Sequence, residues 1–292
     1  MRESVPAPVL ERRAEEAAAL LPDLLTAAEE LANIVTAGHH PRRKAGRSDT
    51  FWQFRDYAHG DPIGSIDWRQ SARLDGRLLV RQTEWEQPRT ILLWCGGGED
   101  FDYGERPRDS KRFRGQILTL ALGVLALRAG ERVGLLGGAE PPKPGLQHTT
   151  DLAFGLLRHE WPLTDLTPSP GSTAILVSDF HQPPEDLAAL FAQVRHGRGH
   201  ALAIAVEDPS EAAFAFEGAT KIEGPRGEFR RTFGDIAAIR EEYLKARSDH
   251  HAALLRAVGS AQETVLFHTT DEAPLTVLRT AAERLDREGA PR

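Results

Sequence analysis

The stretch TAILVSDFHQPPEDLAALFAQVRHGRGHALAIAVED (173–208) predicts a β-strand, an α-helix and a second β-strand in succession. Its two ends, residues 173–180 and 201–208, are mainly apolar runs, which are typical of strands buried on both faces of a sheet. Between them, residues 184–196 carry apolar side chains at helical spacing. Because a strand–helix–strand unit joins parallel strands, the stretch predicts an α/β fold with a parallel sheet.

The same alternation of strands and helices continues on both sides of this unit. We therefore predict a doubly wound, mostly parallel sheet within residues 90–288, covered by helices on both faces. Residues 219–233 interrupt the alternation with a Gly-Pro-Arg-Gly sequence and predict a surface hairpin. The further strands are expected at 90–95, 132–138 and 263–270, and the further helices near 110–129, 151–159, 235–257 and 274–286.

Two segments precede the predicted sheet. In residues 1–37, apolar side chains at helical spacing predict a helix, which Pro22 is expected to divide because proline removes a backbone hydrogen bond. Residues 38–89 begin with a basic loop and continue with aromatic and β-branched residues separated by turns. This pattern predicts a small β-rich subdomain made of hairpins, one of them closed by Asp75-Gly76.

The composition is that of an ordinary globular protein, with 292 residues of which 40% are hydrophobic and 27% charged. The longest apolar stretch, residues 117–127, is shorter than the roughly 20 residues that a membrane-spanning helix needs. The N-terminal residues carry no secretion signal, and the single cysteine, Cys95, excludes an internal disulfide. We therefore expect a cytoplasmic protein without a membrane span.

Charge is distributed unevenly along the chain. Residues 40–90 carry 10 Lys and Arg against 7 Asp and Glu, a local charge of +3, whereas the whole chain has a net charge of −7. Three of the five tryptophans, Trp52, Trp68 and Trp85, fall in the same stretch. Basic residues interleaved with aromatic ones are found in nucleic-acid-binding surfaces, so binding through residues 42–85 is one hypothesis. The acidic remainder of the chain disfavours it.

A series of short motifs resembles one known bacterial family, the domain-of-unknown-function family fifty-eight. Each motif is weak by itself, but their order and spacing over residues 38–285 are specific. The matching segments are Gly38-His39, FWQFRDY (51–57), Gly60-Asp61, Ile66-Asp67-Trp68, Ser71-Ala72-Arg73, Val80-Arg81, Glu84-Trp85-Glu86, SKR (110–112), VSDF (177–180), EDPSE (207–211) and HTTDEAPLTVL (268–278). Members of this family look like a von Willebrand A domain preceded by an Arg- and Asp-rich segment.

The resemblance implies a cation site at the carboxyl edge of the sheet, since von Willebrand A domains usually bind a divalent cation there. The ligands come from an Asp-x-Ser-x-Ser loop after the first strand, a Thr in a second loop and a later Asp. In this chain Gly96, Gly98 and Asp100 stand at the three loop positions, and an alignment shifted by one residue restores no ligand either. Thr150 and Asp179 remain. We therefore predict that the chain binds neither a metal ion nor another cofactor.

The Arg- and Asp-rich segment supplies eight residues that we call the signature residues. Their arginines and carboxylates, Asp67 included, have two interpretations. They form ion-paired forks that hold the β-rich piece on the α/β domain, or they form a recognition surface for another protein. The signature residues are Arg55, Tyr57, Asp61, Asp67, Trp68, Arg73, Arg81 and Glu84.

The resemblance implies a non-enzymatic adaptor that binds a MoxR-type AAA+ ATPase in chaperone-like complex maturation. Besides nucleic-acid binding, the residues leave an enzyme dependent on Cys95 as an alternative. This cysteine ends a predicted strand and precedes three glycines, a place where α/β enzymes carry nucleophiles. The glycines lack the Lys-Ser/Thr ending of a phosphate loop, and the acidic pair Glu99-Asp100 would repel an anionic substrate.

The substituted metal loop generates a first test. We predict that millimolar Mg²⁺ or Mn²⁺ leaves the melting temperature unchanged, because a ligand that binds only the native state must stabilise it by mass action. Thermal unfolding with and without each cation measures this. A saturable stabilisation that disappears in Asp179→Ala would contradict the prediction.

Overall fold

The structure is a computed structural model, and it describes residues 7–38, 51–59, 61–73, 77–83, 88–98, 101–104, 110–158, 161–214, 216–223 and 230–288. The chain divides into two compact units. The smaller is Pro41–Pro88, and the larger combines Met1–His40 with Arg89–Arg292.

The secondary structure alternates between strands and helices over most of the larger unit. The helices are α1 (Ala7–Gly38), α2 (Trp68–Ser71), α3 (Lys111–Arg128), α4 (Thr149–Arg158), α5 (Pro184–His196), α6 (Pro209–Ala213), α7 (Arg240–Arg256) and α8 (Pro274–Glu288). The strands are β1 (Phe51–Asp56), β2 (Leu79–Thr83), β3 (Thr90–Cys95), β4 (Arg132–Leu135), β5 (Thr173–Ser178), β6 (His200–Glu207), β7 (Thr220–Glu223), β8 (Arg230–Phe233) and β9 (Glu263–Thr269).

Five strands of the larger unit form a parallel sheet in the order β4-β3-β5-β6-β9. Counted along the chain, this is the order 2-1-3-4-5 of a doubly wound sheet. The strands are parallel because a helix or a longer connection returns the chain to the same edge after each of them. The predicted α/β class, with a parallel sheet between helices and a helix before it, is confirmed.

Successive residues of each strand face opposite sides of the sheet, which gives two cores. On one side Leu93, Ile175 and Ile204 pack with α1, α3, α4 and α8. On the other side Trp94 and Leu176 pack with α5, α7 and the segment that follows α4. The chain thus passes from one face to the other between α4 and β5. These strands appear as continuous apolar runs in the sequence because both of their faces are buried.

Helix α3 is buried on both its inner and its outer side. Its inner side approaches β3 closely, because a Cβ at Gly123 would lie 2.6 Å from Leu93 Cδ1 and one at Gly115 would lie 3.3 Å from Cys95 Sγ. Its outer side is covered by α1, which also packs against α4 and α8. The apolar run 117–127 is therefore a core helix. Among the described residues, no helix is both long enough and apolar enough to cross a membrane.

Helix α1 is continuous, so the expectation that Pro22 divides it is wrong. Pro22 is exposed, and its carbonyl accepts a hydrogen bond from the Thr26 hydroxyl at 2.8 Å. The next turns bury Leu24, Ala28 and Ala32 completely. Burial of this apolar face offsets the backbone hydrogen bond that proline removes.

The smaller unit contains an antiparallel pair, β1 and β2, which agrees with the predicted β-rich character. The two strands are not joined by a tight hairpin, because the connection between them includes the short helix α2 and a 3₁₀ turn at Ile63–Ser65. The expected Asp75-Gly76 turn lies outside the described residues. In the larger unit β7 and β8 pair as the expected surface hairpin, whose turn also lies outside the described residues.

The packing of α1 against the rest of the larger unit generates a second test. We predict that Leu24→Ala lowers the free energy of unfolding by about 2–5 kcal/mol, because it removes a fully buried side chain and leaves a cavity. The matched control is Ile34→Ala in the same helix, where the side chain is 47% exposed and the expected change is within about 0.5 kcal/mol. Denaturant unfolding of both variants measures the difference. Equal stability of the two would show that α1 is not part of the folded core.

Candidate functional site

The carboxyl ends of β3 and β5 form the switch point of the sheet. The two strands are neighbours, yet the chain continues from β3 to β4 on one side and from β5 to β6 on the other. In doubly wound sheets the loops diverge at this point and leave a crevice in which ligands bind. Here the two loops begin at Gly96, which follows β3, and at Asp179, which follows β5.

Gly96 is held in close contact with the neighbouring loop. Its N–H donates to the Val177 carbonyl at 2.7 Å. A Cβ at this position would lie 2.3 Å from Ser178 Oγ and 2.8 Å from Ser178 Cβ, and Ser178 is buried. A carboxylate at residue 96, as in a metal-binding loop, therefore has no room unless Ser178 moves.

Gly98 has a different reason to be glycine. Its φ is +126°, a backbone conformation that side chains with a Cβ rarely adopt. A serine at this position would be strained. Asp100, the third position of the loop, lies outside the described residues. Both described positions thus have a steric or conformational reason for lacking a ligand side chain.

The side chain beside Asp179 is a lysine. Lys111 is the first residue of α3 and has no exposed surface. Its Nζ donates to Glu211 Oε1 at 2.8 Å and to Asp179 Oδ2 at 3.2 Å, and it lies 5.6 Å from the centre of the Tyr103 ring. The ammonium group therefore joins the loops that follow β3, β5 and β6. We call Lys111, Asp179 and Glu211 the edge cluster.

The carboxylates of the edge cluster are both held by further hydrogen bonds. Asp179 is buried, and its Oδ1 lies 3.3 Å from the Ser178 hydroxyl and 3.4 Å from the His181 amide nitrogen, which both donate to it. Glu211 Oε2 accepts the Asp208 N–H at 3.1 Å in a capping box at the start of α6. The Glu211 carboxylate thus caps helix α6 and also pairs with the buried ammonium group of Lys111.

The loop after β3 is folded back onto α3. The Lys111 and Arg112 amides donate to the Tyr103 and Phe101 carbonyls, both at 2.9 Å. The Tyr103 hydroxyl lies 3.2 Å from Ser210 Oγ, so the loop also contacts the start of α6. Residues 101–104 thus contact the starts of both α3 and α6.

A second charged group lies at the end of β6. Glu207 is buried, and Arg247 donates to both of its carboxylate oxygens at 2.9 and 2.6 Å, while His251 Nε2 lies 2.8 Å from Oε1. Burial opposes ionisation of Glu207, but the hydrogen bonds from Arg247 and the nearby His251 hold its pKa below the ordinary value. Beside it, His250 Nε2 lies 2.8 Å from the Phe180 carbonyl and links α7 to the loop after β5.

Thr150, the other ligand position that the chain retains, is not part of the edge cluster. Thr150 is exposed in the first turn of α4, whereas Asp179 is buried against Lys111. Among the described residues, no group of three or more His, Cys, Asp and Glu side chains is arranged to hold a metal ion. Because a lysine ammonium and a divalent cation repel each other, the oxygens that remain do not fit the Mg²⁺ site that the resemblance implied.

Cys95 lies at the end of β3, but it is not exposed at the edge. The residue is 4% exposed, and burial raises the pKa of its thiol to about 12. A thiol with such a pKa is protonated at neutral pH, whereas cysteine nucleophiles react as thiolates.

Two signature residues form a fork within the smaller unit. Arg55 donates through Nη1 and Nη2 to the two carboxylate oxygens of Asp61 at 2.6 and 2.7 Å, and the Ala58 N–H donates to the same carboxylate at 2.9 Å. These interactions lower the pKa of Asp61 to about 2. The Tyr57 hydroxyl donates to the Asp61 carbonyl at 3.2 Å. The fork thus closes the turn that follows β1.

Among the residues whose side chains the structure describes, Asp67 forms no such fork. Its Oδ1 accepts the Gln70 N–H at 3.0 Å and so caps helix α2. Trp68 follows it with 59% of its surface exposed, and Arg73 is also exposed. The Arg81 side chain and the whole of Glu84 lie outside the described residues.

The family of the chain follows from a comparison with family models. The model described as "Protein of unknown function DUF58" matches residues 53–253, more than half of the 292 residues. The chain belongs to the DUF58 family. No curated protein and no solved structure matches it. The DUF58 match includes most of the smaller unit and the strands of the switch point, and it ends within α7, before β9 and α8.

In this DUF58 chain the sequence predicts the switch-point loops but not the role of Lys111, which lies in the motif SKR (110–112). A physical signal was present, since a lysine directly after the helix-capping Ser110 places a cation at the positive end of the helix dipole. Such a position is unfavourable unless carboxylates lie close by.

The close approach at Gly96 generates a third test. We predict that Gly96→Ala lowers the free energy of unfolding by about 1–3 kcal/mol, because the new methyl group collides with Ser178. Combining it with Ser178→Gly should cost less than the sum of the two single changes, because the colliding atoms are then gone. Gly234→Ala is the control, since a Cβ there meets no atom within 4 Å. Additive effects of the two changes would contradict the proposed collision.

Proposed function

We propose that this protein is a non-enzymatic adaptor whose carboxyl edge of the sheet binds another protein, a MoxR-type AAA+ ATPase, in chaperone-like complex maturation. One observation carries the proposal. At the switch point, where related folds bind a ligand in a crevice, Lys111 pairs with Asp179 and Glu211 and so connects the start of α3 with the loop after β5 and with α6.

The rim of this edge offers groups for contact. Tyr103 is 41% exposed, and the His181 side chain is 47% exposed beside the exposed Gln182. Aromatic side chains on a rigid surface are favourable centres of protein interfaces, because little conformational entropy is lost when they bind. The hydrogen bonds of Tyr103 to Ser210 and of His181 to Asp179 support such preorganisation.

The protonated, buried Cys95 supports contact rather than cysteine chemistry. The partner itself is suggested by the family resemblance.

Nucleic-acid binding is the second candidate, and the exposed Trp68 favours it. Its ring is 59% exposed, with the exposed Arg69 and Arg73 close by in the sequence. Bases stack on aromatic rings and phosphates pair with arginines, so a strong salt dependence of RNA or DNA affinity would support this candidate. The net charge of −7 opposes it.

The adaptor proposal generates a fourth test at Gln182. We predict that Gln182→Trp weakens association with a purified MoxR-type ATPase by about tenfold, because a large side chain obstructs the rim. The melting temperature should stay nearly unchanged, since Gln182 is exposed. Pull-downs and binding titrations with ATP, with ADP and without nucleotide measure the effect.

The matched control is Gln193→Trp. This glutamine is also exposed, but it lies near the C-terminal end of α5, at the opposite edge of the sheet. The Gln193→Trp variant should bind the ATPase with the same affinity as the unmodified protein. Equal loss of binding in both variants would contradict an interface at the carboxyl edge. No association in any nucleotide state would remove the proposed partner and favour the nucleic-acid candidate.

A further inference from the structure

Lys111 is the most unusual charged residue among those described. It is a lysine with no exposed surface, it begins a helix, and its Nζ faces the carboxylates of Asp179 and Glu211. Lysine is among the residues least often fully buried, and burial of its charge is tolerated only when it is paired and hydrogen-bonded. The helix dipole adds a further unfavourable contribution at this end of α3. The two carboxylates must offset both the burial of the ammonium charge and its unfavourable interaction with the helix dipole.

The carboxylates come from different parts of the fold. Asp179 follows β5, Glu211 belongs to α6 after β6, and Lys111 reaches them from α3 after β3. Without Lys111, Asp179 and Glu211 would be two negative charges close to one another, one of them buried and the other partly buried. Carboxylates converging in this way, with the hydroxyl of Ser178 beside Asp179, are a set of hard oxygen donors suited to a small divalent cation.

We infer that the Lys111 ammonium group is a tethered cation that occupies a carboxylate site at the switch point, in the place of a free divalent cation. The lysine supplies the positive charge from within the chain, so the loops stay joined whether or not metal ions are present. Because its Nζ is fully buried, a partner's carboxylate cannot bind to it as it would to an exposed metal ion. This inference concerns the internal chemistry of the edge and holds for any partner.

The experiment is to exchange the tethered cation for a free one. Lys111→Ala removes the ammonium group and opens space beside Asp179 and Glu211. In metal-free buffer this variant should melt below the unmodified protein, because Asp179 and Glu211 lose the ammonium group that lies between them. Mn²⁺, Mg²⁺ or Ca²⁺ at constant ionic strength should raise its melting temperature saturably, by about 3–6 °C at a tenfold excess over the dissociation constant. The unmodified protein should not respond.

Two further variants make the result specific. Lys143→Ala removes a lysine whose partner, Glu140, is an exposed carboxylate, and it should neither melt earlier nor respond to divalent cations. Adding Asp179→Asn to Lys111→Ala should abolish the rise in melting temperature with divalent cations, because the Asp179 carboxylate is then replaced by a neutral amide. If Lys111→Ala responds no more than Lys143→Ala, the inference is wrong.

Folding of the variant and accessibility of the lysine supply the remaining evidence. If Lys111→Ala is insoluble, refolding it from urea should yield soluble protein with Mn²⁺ and not with EDTA. If the variant stays insoluble both with Mn²⁺ and with EDTA, a divalent cation does not replace the lysine and the inference is wrong. In the unmodified protein, acetylation by an N-hydroxysuccinimide ester should spare Lys111 and modify the exposed Lys245. Equal labelling of the two lysines would show that Lys111 is not enclosed.

Discussion

Helix α3 packs against β3 through Gly115 and Gly123 and is covered on its outer side by α1. A helix enclosed in this way must be apolar along most of its length, and only its ends are free to carry charge. The charge at its N-terminal end, Lys111, is itself buried and therefore has to meet carboxylates from the neighbouring loops. The layers of the larger unit and the chemistry of the candidate site thus depend on the same enclosed helix.

The switch-point edge combines two features that are usually alternatives. Its position is that of a ligand crevice, but here Lys111 pairs with two carboxylates and the backbone of Gly96 lies against the Ser178 side chain. Buried charges of this kind contribute little net stability compared with apolar packing. Tyr103 and His181 are exposed at the same edge of the sheet.

Much of the fold followed from local patterns. Strands buried on both faces are continuous apolar runs, and helices with one buried face repeat at 3.6 residues, so β3, β5, β6 and β9 and the helices α3 and α5 were located to within about two residues. The loops at Gly96 and Asp179 were also located, because loops after parallel strands meet at one edge. The roles of the residues in those loops were not found, since they depend on side chains that are far apart in the sequence.

The sequence by itself determined the class of fold, the two-sided burial of the sheet and the loss of the ligand side chains from the first loop, because each is encoded in consecutive residues. Tertiary structure decided two other features. Pro22 stays within α1 because the face around Leu24 is buried. Lys111 becomes an internal cation because Asp179 and Glu211, 68 and 100 residues away, converge on it. Local sequence patterns do not predict such contacts, because the stability of each contact depends on which distant residues the fold brings together.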